Sequence, residues 1–216
     1  MQRSTMERLA PLTGVVFFAL IVTLFILSGS QPGVKDSPAK IVNFWHDHKT
    51  REQVAAVLGA LAVLFFIWFA GSLRASLRAA EGDAGRLSTI AFGGAIVFAT
   101  GGAVASVIQF TAADAVNHVP ATVTQTLSAL NIDDFLPFVA GSATVLLATA
   151  VVILRHGGLP NWVGWVAIVL AIANFTPLGF IGFLGFLIWV LIVSITLYLR
   201  QPERAVGARP GSAAVT

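Results

Sequence analysis

Six stretches that carry no Asp, Glu, Lys, Arg or His, at 9–27, 54–73, 88–110, 135–154, 159–175 and 178–199, account for most of the chain. A bilayer core about 30 Å thick needs roughly 20 apolar residues in a helix, the one single-segment conformation that satisfies its own backbone without water. The expected fold is therefore all-α: a polytopic membrane bundle of about six transmembrane helices. The last two stretches cannot be one helix, because 159–199 at about 1.5 Å per residue would run to about 60 Å, twice the core. Asn174-Phe175-Thr176-Pro177-Leu178-Gly179 supplies the break. Pro177 has no amide hydrogen and disfavours helical geometry at Thr176 before it, so a tight helical hairpin is expected.

The first stretch has a second reading. Arg3 and Arg8 precede it and Ser28-Gly29-Ser30 follows with small residues, the ingredients of a cleaved signal peptide. Its apolar run is longer than a typical signal core, which favours an uncleaved first helix. Orientation follows from the basic residues, which are retained on the cytoplasmic side. Six helices gather Arg3, Arg8, Arg74, Arg78, Arg86, Arg155, Arg200, Arg204 and Arg209 on one side and Lys35, Lys40, Lys49 and Arg51 on the other, nine against four. Both termini should then be cytoplasmic. Five helices would move the three C-terminal arginines across, giving six against seven and no bias.

With 56% hydrophobic residues, 11% charged and a mean hydropathy of +0.85, apolar residues exceed what one soluble core needs, and the surplus must face lipid. No polar connection is long enough for a separate soluble domain. Residues 1–200 read as one transmembrane domain and 201–216, rich in Gly, Ala and Pro, as a disordered cytoplasmic tail. The absence of cysteine excludes disulfides, thiolate metal sites, iron–sulfur clusters and cysteine nucleophiles. Nucleic acid is not an expected partner, because the arginines sit beside the ends of apolar segments, where topology accounts for them.

Local punctuation gives further expectations. Thr50 and Gln53 form a possible capping box, Gly82 can end the second helix, and Asp133 or Asp134 can cap the fourth. Ser37-Pro38 can start a short helix with Ile41, Val42 and Trp45 on one face, and 120–130 repeats the idea with Val123, Leu127 and Leu130. Both could lie flat on the outer surface of the bilayer. Trp45, Trp162, Trp165 and Tyr198 fall near expected interfaces. Gly93-Gly94 and Gly101-Gly102, and the Gly179, Gly182, Gly185 series, offer smooth faces for helix packing, within the chain or between subunits.

Few residues suggest chemistry. His46, His48, Asp114 and His118 share one side, and imidazoles with carboxylates are the usual ligands of zinc-like metals, yet no diagnostic spacing supports a metal site. No catalytic residue and no cofactor is indicated: the helices lack the histidines that ligate membrane haem and the charged groups of proton-driven transport, and no nucleotide motif is present. Gln109 and Asn174 stand out among the neutral polar residues at depth. Each amide needs a partner in hydrocarbon, so both should face protein or a small pocket near the outer surface.

Phe44-Trp45-His46-Asp47-His48-Lys49, Phe66-Ile67-Trp68-Phe69 through Leu73-Arg74-Ala75-Ser76-Leu77-Arg78, and Leu159-Pro160-Asn161-Trp162-Val163-Gly164-Trp165 together resemble a bacterial multi-pass membrane family of the domain-of-unknown-function kind. The resemblance implies a helical bundle in the bacterial plasma membrane and no particular activity. The leading functional expectation is a non-catalytic membrane protein that binds lipid, a hydrophobic ligand or a partner, either another membrane protein or a second copy. A small-solute transporter and an outer-face metal-dependent enzyme are the alternatives.

Overall fold

The computed structural model describes residues 8–82 and 85–207, the last seven as backbone. A 3-10 turn at Ala10–Leu12 leads into α1 (Thr13–Ser28), followed by α2 (Pro38–Asp47), α3 (Lys49–Glu81), α4 (Arg86–Ala115), α5 (Ala121–Asp133), α6 (Leu136–His156), α7 (Asn161–Ala173) and α8 (Gly179–Gly207). No strand occurs among the described residues, and the fold is an all-α helical bundle. Five helical stretches are long and apolar enough to cross a membrane: Ala10–Ser28, Lys49–Glu81, Arg86–Ala115, Ala121–His156, which contains α6, and Gly179–Arg200.

Of the expected spans, α7 departs from expectation. α7 has 13 residues, about 20 Å at 1.5 Å per residue, against a core of about 30 Å. It stops because the chain prepares for Pro177: the Thr176 hydroxyl donates to Ala173 O at 2.8 Å and accepts from Leu178 N at 3.2 Å, closing a turn rather than another helical repeat. Asn174 Nδ2 donates to Ser142 Oγ at 3.0 Å, so the tip of the hairpin sits level with the second turn of α6. α8 then returns antiparallel. Trp189 Nε1 donates to Val163 O at 3.2 Å and Arg200 to Gly158 O at 3.0 Å. Trp189→Phe should cost about 1 kcal/mol, read as a lower unfolding midpoint in detergent with the helical signal unchanged; an unchanged midpoint would mean the bond is not made.

The two ends of the bundle differ. Arg74, Arg78, Arg86, Arg155 and Arg200 lie at the end where α3 and α6 finish and α4 begins, and Ser194 of α8 bonds Pro11 O just after Arg8. We call this the arginine-rich end; Arg3 and Arg209 lie outside the described residues. α8 continues to Gly207, past the expected boundary at 200, and 208–216 lie outside the described residues.

At the opposite, capped end, Ser37 caps α2 through Lys40 N at 3.4 Å, and Ile41 and Trp45 pack with Ala112 and Ala113 of α4 and with Val116 just after it. Trp45 is fully buried rather than placed at a lipid interface. In α5 the buried positions are Thr124 and Ser128 and Leu127 packs beside Ile41 and Trp45, while Val123 and Leu130 are exposed, because the helix packs on α2 and α4. Two expected caps are absent. No side chain caps α3, where Gln53 instead donates to Asp114 Oδ1 at 3.1 Å, and none caps α6. Gly82 does end α3, with φ of 77° and its N–H on Arg78 O.

α4 is the central helix, held between α3 and α6. A Cβ on Gly141 of α6 would stand 2.5 Å from Phe98 N and 2.8 Å from Gly94 O, and one on Gly94 2.6 Å from Thr144 Cβ. These glycines let two backbones touch, the source of helix association where lipid removes any hydrophobic drive. Gly182 does the same inside the hairpin, against the Asn174 backbone, and Gly185 makes room for the Leu170 side chain, whereas Gly93 has nothing within 4 Å. Below the capped end the core is aromatic: Phe66 lies 4.8 Å from Phe98 and 4.9 Å from Phe17 between ring centroids, and Phe98 lies 5.0 Å from Phe186.

Candidate functional site

The short hairpin leaves the capped end underfilled. A cavity of about 650 Å³ opens there between α1, α3, α4, α6 and the hairpin tip, within the range of about 300–1,000 Å³ typical of small-molecule sites. Phe17, Phe98 and Leu187 form its floor, and Ile21, Val63 and Phe138 belong to its wall. Phe25, Phe135 and Phe180 lie at its edge and are exposed on the flank of the bundle. The polar lining lies toward the capped end: Ser28, Gln31, Gln109, Asn131 and Asp134 above, Ser106 one turn below Gln109, and Asn174 and Thr176 at the hairpin tip.

That roof is organised by Glu52, whose side chain has no exposure. It lies in the first turn of α3, where unpaired backbone N–H groups and the helix dipole favour a carboxylate. Glu52 Oε2 accepts from Gln109 Nε2 at 2.9 Å and from Gln31 Nε2 at 3.1 Å, and Oε1 accepts from Arg51 at 3.2 and 3.3 Å. Gln109 Nε2 also donates to Ser28 Oγ at 3.0 Å, Arg51 to Ser28 O at 3.2 Å, and Asn131 Nδ2 to Gln31 Oε1 at 2.9 Å. One network thus ties the end of α1, the start of α3, α4 and the end of α5. A buried carboxylate is tolerated only when paired and hydrogen-bonded in this way.

Local chain geometry delivers these groups. Gly29, at φ 59°, ends α1 with its N–H on Phe25 O and turns the chain so that Gln31 reaches Glu52. The loop is then held by Asp36, which takes Lys40 Nζ and Gly33 N, each at 2.8 Å. Those bonds, with the Lys40 ammonium first, hold the Asp36 carboxyl below its ordinary value.

Of the residues singled out in the sequence, Gln109 and Asn174 are both buried and both line the cavity. The histidine set does not assemble. His46 Nδ1 faces Asp47 at 3.1 Å, His48 Nδ1 faces Phe44 O at 2.9 Å, and Asp114 is engaged by Lys49 at 3.3 Å and by Gln53. Among the described residues no three His, Cys, Asp or Glu side chains are placed to hold a metal ion. Sequence reasoning missed Glu52. Its neighbours Arg51 and Gln53 make it look like ordinary solvated helix-start sequence, and the one available signal was its position beside the onset of an apolar stretch, at the same membrane level as Gln109.

The geometry supplies a pocket that is apolar over most of its wall and hydrogen-bonding at one end. Comparison of the chain with protein-family models, with curated proteins and with solved structures finds no match.

Proposed function

We propose that this protein binds an amphipathic, lipid-like molecule in the cavity, with the apolar tail against Phe17, Phe98 and Phe138 and the head against the Glu52–Gln109 network. The supporting observation is the one-sided polarity of a large cavity whose edge residues are exposed on the lipid-facing flank. Apolar burial supplies affinity at about 25 cal/mol per Å², and a few fixed polar groups supply orientation. We further propose a bacterial plasma-membrane location with the capped end facing away from the cytoplasm. The arginine-rich end is then the cytoplasmic one, as positive residues favour, and the hairpin of α7 and α8 returns Arg200 to that side.

The test is purification from native membranes followed by mass spectrometry of what remains bound. Ala105 lines the cavity, and Ala105→Trp should fill it. The expected result is an amphiphile retained by the natural chain and reduced at least ten-fold in the variant, with the unfolding midpoint of the stripped protein preserved. Equal retention by both proteins would sink the assignment of this cavity.

A further inference from the structure

The roof of the cavity has a chemical polarity that narrows the head group. Two amides, Gln31 and Gln109, direct Nε2 onto Glu52 Oε2. Beside the Arg51 guanidinium these carboxylate oxygens accept, so both amide orientations are fixed with the NH2 turned inward. The order propagates: Gln31 Oε1 is then an acceptor, and Asn131 must turn its own Nδ2 toward it. Gln109 Nε2 thereby uses both its hydrogens, on Glu52 and on Ser28, and its carbonyl oxygen is the group that remains. Among the described residues no donor reaches Gln109 Oε1 or Asn131 Oδ1.

A second observation, independent of that network, lies at the α5–α6 junction. Asp134 also lines the cavity, and the lining residues include no Lys or Arg. The polar end of the cavity therefore carries a carboxylate with no cation beside it in the lining.

We infer that the cavity selects amphiphiles whose head group donates hydrogen bonds, by hydroxyl or ammonium, and discriminates against phosphate and carboxylate heads. This rests on the proposed amphiphile binding and specifies its ligand class. A phosphate would bring negative charge toward the Asp134 carboxylate and toward Gln109 Oε1, with no Lys or Arg in the lining to offset it. A glycerol or an ammonium head would satisfy them, and a site built to pair with a donor rejects ligands that lack it.

Binding of three probes with the same tail decides the matter: dodecylamine, the glycerol monoester of dodecanoic acid, and dodecyl phosphate. The full chain is placed in phosphatidylcholine nanodiscs, and affinities are compared per mole fraction in the bilayer so that partitioning cancels. Both donor heads should bind at least five-fold tighter than the phosphate. A smaller margin, or a preference for phosphate, overturns the inference while leaving amphiphile binding intact; binding of none of the three removes the amphiphile reading itself. In Glu52→Gln the preference should shrink, because an amide no longer forces its neighbours to turn their NH2 groups inward, and an undiminished preference would remove Glu52 from the explanation. Since that variant also disturbs folding, the probe series on the natural chain decides alone if the variant is not recovered.

Discussion

Gly141→Ala should lower stability by about 3 kcal/mol, the upper part of the usual range for overpacking, although only a methyl group is added. The reason is what the methyl meets: Phe98 N at 2.5 Å and Gly94 O at 2.8 Å are backbone atoms of α4 and cannot rotate aside. α6 must therefore move away from α4 along their whole contact, weakening the packing around Phe98 and Leu146 as well. Gly93→Ala is the control, since a Cβ there meets nothing within 4 Å and its effect should stay within about 1 kcal/mol. Unfolding midpoints of the two variants in the same detergent give the comparison. Equal midpoints would mean that α4 and α6 are not in backbone contact.

Glu52→Leu should cost about 3 kcal/mol, as removal of one partner from a buried ionic network does. The substitution strands the Nε2 donors of Gln31 and Gln109 and leaves the Arg51 guanidinium without its carboxylate. The double variant Glu52→Leu with Gln109→Leu should lose less than the sum of the two single changes, because the second removes a donor that the first orphaned. A double-variant cycle read from unfolding free energies provides the measurement. Strict additivity would show that the two side chains do not interact.

The spans and the hairpin were legible because both follow from local chemistry. Uncharged runs of helical length and a proline with its preceding residue fix where helices can lie, and the structure places the break at Asn174–Pro177. Legibility stopped where one helix must meet another. That the hairpin tip sits level with the second turn of α6 depends on Asn174 finding Ser142, a contact 32 residues away in sequence. The caps expected from Thr50 and Asp134 fail for the same reason: Gln53 is drawn to Asp114 across 61 residues, and α3 begins directly after α2. The faces of α5 were misread because Thr124 and Ser128 turn inward toward other helices, which an apolar count along α5 alone assigns to the surface. For the site, the two amides were legible by being polar in apolar surroundings. Glu52 was hidden by lying one turn outside the apolar stretch, where a carboxylate needs no explanation until the fold closes over it.

The truncated α7 also makes the molecule's hydrophobic height uneven around its circumference. On the α3 and α4 side the apolar belt is tall, while α7 by itself is about 10 Å shorter than the hydrocarbon core. Mismatch of that kind costs fractions of a kcal/mol per Å and is relieved by local thinning of the bilayer. On the proposed reading, such thinning beside α7 brings lipid heads toward the cavity mouth at Phe180, which is exposed, and the short helix serves as a ramp by which an amphiphile slides in sideways.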